Sequence, residues 1–351
     1  MTLRKPARLS QLLSIEFPII QAPLYHGGST ELVAEVSNNG GLGMIAGGLL
    51  TPEALQHEIQ AVKALTSKPF GVNLMVADQH SLEESAFEEA ISRLKGFAGA
   101  EQLDLESLNT EAWLLSPIED LLDILLEEEV PVVSFSFGVP EQEIIDILRQ
   151  SGMKIIGCST HMIEALLWEE RGIDAHFLQG MESGGMRFTF IGDAMTHGFS
   201  AQTLVTQASR VLEKPFFVSG GIYNKPLFAA AMIQGADGVA IGTALMLSHE
   251  SGLSEIEVDK ILGSNEYDSV FTQHWTGVMG RCLSNAGTQA LRKVRGKTLP
   301  FPEQLFLAHA ATIDELETGD NREEYQPIWA SVNAPFCSRI SVKELMESLV
   351  S

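Results

Sequence analysis

Eight short apolar runs, each followed by a capped or amphipathic segment, predict an α/β protein: a (β/α)8 TIM barrel with a helical C-terminal extension. Two further observations point the same way. The runs are apolar throughout rather than alternating, as strands covered on both faces must be. Glycine, small and amide side chains gather where the runs end, which is where a barrel carries its ligand sites. A doubly wound open sheet is the alternative that shares this alternation.

The elements follow in order. FPIIQAPL (17–24) is the first strand, bounded by turn signals, and STELVAEVSNNG (29–40) is a helix with Ser29 or Thr30 as its cap and Gly40 at its end. LGMIAGG (42–48) is the second strand. The helix at 51–67 has Thr51 as cap and Pro52 at its first position, where a missing N–H costs nothing. PFGVNLMV (69–76) is the third strand, and an irregular acidic helical region fills 81–129. The fourth to sixth strands are 131–138, 154–159 and 175–180, with helices at 140–152 and 160–172. A long loop, 181–200, follows the sixth strand and leads to a helix at 201–212. Strand 215–222, helix 225–235 and strand 238–246 complete the count. The barrel is therefore expected over 1–250, with 251–351 as a helical appendage packed on it.

Composition narrows the function. The 351 residues carry a formal net charge of −23, which disfavours nucleic acid and anionic membranes as partners. The acid is concentrated in 81–130, read as a solvated helical face, with a docking surface for a basic partner as the alternative. Three cysteines, Cys158, Cys282 and Cys337, are widely spaced with no CxxC pair, so neither a disulfide framework nor a metal site is indicated. No run approaches the ~20 apolar residues of a membrane span. A cytoplasmic protein is expected.

The strand ends carry the chemistry. SGGI (219–222) ends the seventh strand and IGTA (241–244) the eighth, the two loops that commonly form a barrel's phosphate site. Ser219, Gly220, Gly221, Ile241, Gly242 and Thr243 are its candidates, because glycine lets backbone N–H groups converge on a dianion. The alternative is that Gly220 and Gly221 only make a tight turn. GGLGMIAGG (40–48) is not a dinucleotide fingerprint, since its glycines flank a strand instead of joining a strand to its helix.

PIIQAPL, SNNGGLGMIAGG, GVNLMV, VVSFSFGVP, FLQGMESGG, SGGI and GADGVAIGTALM, in this order over 17–250, resemble the motifs of the nitronate monooxygenase family, which is related to flavin-dependent enoyl-ACP reductases. LPFPEQ and YQPIWAS resemble that family's C-terminal segment. The resemblance implies FMN on a TIM barrel, with contacts at Ala22, Pro23, Leu24, Asn73, Gln179, Gly184, Gly221, Ala240, Ile241, Gly242 and Thr243. The amides of Asn73 and Gln179, able to donate and accept, suit a flavin's polar edge.

Two departures matter. The family's Gly-Gly-His is Gly185-Met186 here, so the position of the usual proton acceptor holds a thioether. The first loop carries Tyr25 and His26, bulky and ionisable, and its spacing from Leu24 to Glu31 is closer to the enoyl reductases. His26, then Tyr25, are the candidates for proton transfer. His161 and His197 are read as cap or surface residues, and Arg187 as holding an anion or pairing with acidic surface. The resemblance implies an FMN-dependent oxidoreductase that oxidises a nitronate or similar small anion with dioxygen, on a divergent substrate. Two alternatives stay open: an NAD(P)H-dependent reductase of an enoyl thioester or quinone, and a non-catalytic flavoprotein. A homo-oligomer is possible in any of these cases.

Overall fold

The computed structural model describes residues 8–76, 84–94, 115–293, 297–317 and 322–351. Its eleven strands are β1 (Ile19–Gln21), β2 (Gly43–Ala46), β3 (Phe70–Met75), β4 (Val132–Ser136), β5 (Lys154–Ser159), β6 (Ala175–Gln179), β7 (Gly185–Met186), β8 (Phe216–Ser219), β9 (Gly238–Ile241), β10 (Ser269–Thr272) and β11 (Gly280–Leu283). Eight of them form one parallel sheet in the order β1-β9-β8-β6-β5-β4-β3-β2. The ring closes where Gln21 N–H donates to the Leu42 carbonyl at 2.9 Å and Leu42 N–H to that of Ile19 at 3.0 Å. The architecture is a TIM barrel, and the open sheet is excluded.

The caps read from the sequence form. The Ser29 hydroxyl accepts from Leu32 N–H at 3.0 Å, Thr51 from Ala54 at 3.2 Å, and Asn224 Oδ1 from Leu227 at 3.1 Å. Each satisfies one of the N–H groups that a helix leaves without an internal partner. The acidic region yields helices Glu84–Leu94 and Ile118–Glu127. In the second, Leu121, Leu122 and Leu125 are buried while Glu119, Asp120, Asp123 and Glu127 are exposed, as a solvated acidic face requires. The stretch 95–114 lies outside the described residues.

The interior of the barrel is filled by side chains from its own strands, among them Ile20, Met44, Val132, Ile156, Phe177 and Phe217. Phe177 and Phe217, paired in register on β6 and β8, stack at 4.8 Å. Leu9, from helix Arg8–Leu13, belongs to the same cluster and is fully buried. A Cβ on Gly238 would sit 2.6 Å from its Cδ2, so this helix seals the N-terminal end of the barrel. A second close approach is made at Gly157, where any side chain would collide with the buried Trp168 ring at 2.4 Å.

Two departures from the expected elements affect the site. The eighth barrel strand stops at Ile241, and Thr243–Met246 is a single helical turn rather than strand. The chain after 250 is helical with an addition: β10 and β11 form an antiparallel hairpin, and β11 pairs with β7 in the loop after β6. The two segments divided at 250 also share one core, in which Leu32, Val36 and Leu245 pack with Val342, Leu345 and Met346. Helix Val342–Val350, fixed by a Ser341/Glu344 capping box, lies against helix Thr30–Asn38.

Candidate active site

The C-terminal ends of the barrel strands surround a cavity. Twelve of the thirteen expected cofactor positions line it: Ala22, Pro23, Leu24, Asn73, Gln179, Gly184, Ser219, Gly220, Gly221, Ala240, Gly242 and Thr243. Ile241 does not. Its side chain points away from the cavity into the core shared with the outer helices, as alternation along β9 demands when Ala240 faces inward.

One end of the cavity is glycine-built. Gly220 and Gly221 have φ of 149° and 63°, conformations that side chains rarely adopt. The Gly221 carbonyl accepts from Asn333 Nδ2 at 2.8 Å, and Ser219 and Ser183 share a hydroxyl–hydroxyl bond at 2.9 Å. A Cβ on Gly242 would meet only Ala22 and Leu24 side chains, at 3.6 and 3.8 Å, so the bare backbone leaves open space there. Thr243 Oγ1 accepts from Ser331 N–H at 3.0 Å, which leaves its own hydrogen to donate elsewhere.

The two amides also hydrogen-bond within the chain. Asn73 Nδ2 donates to Ser134 Oγ at 2.8 Å, and its Oδ1 accepts from Ser136 at 3.3 Å. Gln179 Nε2 donates to the Met186 carbonyl at 2.8 Å, and its Oε1 accepts from Phe188 N–H at 3.0 Å. Both are held by the chain itself. Gln179 keeps one N–H for a ligand.

Met186 stands on a short strand, not in a free loop. It pairs with Gly280 and Gly185 with Arg281, and Arg187 N–H donates to the Met279 carbonyl at 2.8 Å. A Cβ on Gly280 would come within 2.7 Å of the Trp329 ring, so the indole lies against this strand. Arg187 is neither at the surface nor in the cavity wall. It is buried, donates from Nη1 to the Gly180 carbonyl at 2.6 Å, and is flanked by Glu164 and Glu182. Burial lowers its pKa to about 10, against the opposing pull of those carboxylates. Glu164, fully buried, accepts from Thr160 N–H and hydroxyl at 2.7 and 2.9 Å and from Phe190 and Ile191 N–H at 2.7 and 3.0 Å, fixing the loop beyond Met186.

His26 and Tyr25 both reach the cavity. The His26 ring, however, has a partner at each nitrogen: Nε2 is 2.6 Å from Glu257 Oε1 and Nδ1 is 3.1 Å from Gln326 Nε2. An amide N–H can only donate to Nδ1, so the neutral ring carries its hydrogen on Nε2, toward the carboxylate. Tyr25 is 52% exposed, and its partial burial raises the phenol above its ordinary value. His161 is a buried helix cap bonded to the Ile191 carbonyl at 2.9 Å, and His197 is an exposed turn residue beside Asp193. Cys337 also lines the cavity, where burial pushes its thiol up to about 12 and leaves it a poor nucleophile.

Several wall residues were not expected. Phe137, Thr276, Leu305, Trp329 and Ser331 line the cavity, all but the first from the chain beyond 250. Of these, Phe137 lies in SFSFG and Trp329 and Ser331 in YQPIWAS, so their signal was in the motifs without any indication of where they point.

A model of the nitronate monooxygenase family matches residues 6–351. The chain belongs to the nitronate monooxygenase family. It is 33% identical over 350 residues to a probable nitronate monooxygenase of Staphylococcus aureus strain JH9, covering 98% of this chain and 96% of that protein. The structure resembles that of a nitroalkane oxidase from Streptomyces ansochromogenes, with a TM-score of 0.86, 28% identity, and 97% and 96% of the two chains covered. FabK from Thermotoga maritima is similar at a TM-score of 0.75 and 27% identity, with 98% and 94% covered. This member of the nitronate monooxygenase family is thus an oxidoreductase on a TIM barrel. Among the described residues no helix is long and apolar enough to cross a membrane.

Proposed function

We propose that the cavity binds FMN and that the enzyme oxidises preformed nitronates, or similar small anions, with dioxygen. The residues fit the cofactor. A cradle of bare backbone at Gly220, Gly221 and Gly242 suits a terminal phosphate, with the Thr243 hydroxyl to donate to it. Ala22, Pro23 and Leu24 offer a flat wall to the ring system, and the free N–H of Gln179 a donor to its polar edge. A flavin there supplies the acceptor for electrons that leave the substrate carbon. The chain's own part is to hold the substrate against it: Met186 presents a polarisable apolar wall, kept in place by Gln179 and by pairing with Gly280.

The observation that carries this reading is the state of the two candidate base positions. Met186 has no proton chemistry, and His26 is held at both ring nitrogens by Glu257 and Gln326. General-base help is worth on the order of 10²–10⁴ in rate. A substrate deprotonated in solution needs none, so the cavity suits the anion better than the neutral nitroalkane. The buried, free cysteines suit a reducing, cytoplasmic setting.

The test is anaerobic mixing of yellow, FMN-loaded protein with a nitronate or with NAD(P)H. Bleaching by the nitronate and recovery on admitting air are expected. Bleaching by NAD(P)H alone would overturn the reading in favour of a reductase, which the likeness to FabK and the spacing of the first loop also suggest. Protein that is colourless and takes up no FMN would overturn the cofactor.

A further inference from the structure

One part of the cavity wall has a chemistry of its own. Phe137, Met186, Leu305 and Trp329 line it, and each is only partly buried, so their apolar surfaces face the cavity. Phe137 stands out by its backbone. Its φ of 67° lies in the left-handed region, which is costly for an aromatic residue and rare outside functional sites. The surroundings hold it there. Its ring stacks on Phe301 at 5.3 Å with 20° between planes and meets Phe188 edge-on at 6.0 Å. Phe188 is itself fixed through its N–H by Gln179. The strained turn at the end of β4 therefore aims an aromatic face into the cavity from the barrel, while Leu305 and Trp329 bring apolar surface from the chain beyond 250.

We propose that this wall is a specificity site, and that the preferred substrate carries an apolar body, an alkyl chain or aryl group larger than ethyl, bound against Phe137, Leu305 and Trp329. The inference rests on the nitronate reading above and adds the substrate class to it. A small nitronate leaves the wall facing water. A longer one removes both the wall and its own carbons from water, and each buried methylene improves binding about fourfold. Phe137 acts as the determinant because, among the described residues that line the cavity, it is the one side chain carried on a left-handed backbone.

Two measurements test this. The first is kcat/KM for the preformed anions of nitroethane, 1-nitrobutane and 1-nitrohexane. The second is inhibition by acetate, butyrate and hexanoate, planar anions of similar shape that cannot be oxidised; calorimetry on the FMN-loaded protein reads the same binding without turnover. Both series should rise in affinity or efficiency with chain length, by at least tenfold from the two-carbon to the six-carbon member. Phe137→Gly, which tolerates the φ, should lower the six-carbon to two-carbon ratio by about tenfold, and Phe137→Leu should lower it less. Flat series in both measurements, or a ratio untouched by either substitution, would overturn the proposal. A steep carboxylate series with no nitronate turnover would support the apolar site and overturn the reaction.

Discussion

The Gln179 side chain and the Met186 backbone are joined by a hydrogen bond of 2.8 Å, and the same amide accepts from Phe188 N–H at 3.0 Å. One residue at the end of β6 thus clips the strand that forms the cavity wall. Replacing it with Gln179→Leu leaves a buried carbonyl and a buried N–H without partners, each costing about 1–3 kcal/mol. Urea unfolding should show a loss of about 2–4 kcal/mol. A loss under 1 kcal/mol would mean that pairing with Gly280 holds the strand unaided.

Met186→His places a base in the cavity wall. It should raise kcat/KM for a neutral nitroalkane by at least tenfold, within the 10²–10⁴ range of general-base help, and have little effect on the matching nitronate. An equal change for both forms would show that the imidazole acts by shape.

Glu257 sets an acid limit. Burial pushes its carboxyl up, but hydrogen bonds from His26 and Ser254 outweigh that and bring it from the ordinary 4.5 down to about 2. A depressed carboxylate pKa contributes stability that is present above pH 4.5 and lost as pH falls toward 2. The full shift corresponds to about 3 kcal/mol, and solvent screening of this half-buried group lowers the contribution below that. Glu257→Gln should be less stable than the parent at pH 7, and the gap should close between pH 4.5 and 2. Thermal unfolding across that range would show it; a constant gap would assign the cost to packing.

Arg187 is compensated by Glu164 and Glu182 inside the protein. Arg187→Leu leaves the buried Glu164 and the half-buried Glu182 unbalanced and should cost about 3–5 kcal/mol in urea. Arg187→Lys, which keeps the charge, should recover part of it. Equal losses in the two variants would show that guanidinium shape is what the site needs.

The sequence made the barrel legible because its signals are local. Ser29, Thr51 and Asn224 cap the helices that follow them within three residues, and Gly152, Gly172 and Gly235 end theirs in left-handed turns. The glycine loops were legible for the same reason. What stayed hidden depends on distant pairing. His26 reads as an available base until Glu257 and Gln326, 231 and 300 residues further on, take its two nitrogens. β7 is two residues long, too short for any periodicity, and its partner β11 lies in a stretch read as helical. Ile241 fell among the cofactor positions because it stands between Ala240 and Gly242, while strand alternation turns its side chain outward.

Asn333 and Ser331 grip the glycine loops from a stretch of chain that follows every barrel strand. This fixes an order of events on the ribosome. The barrel strands emerge first, with Leu9 ahead of them, while the cavity still lacks one side. A cofactor captured at that stage is free to leave. Only when residues 329–333 have been synthesised can the vessel acquire its last wall.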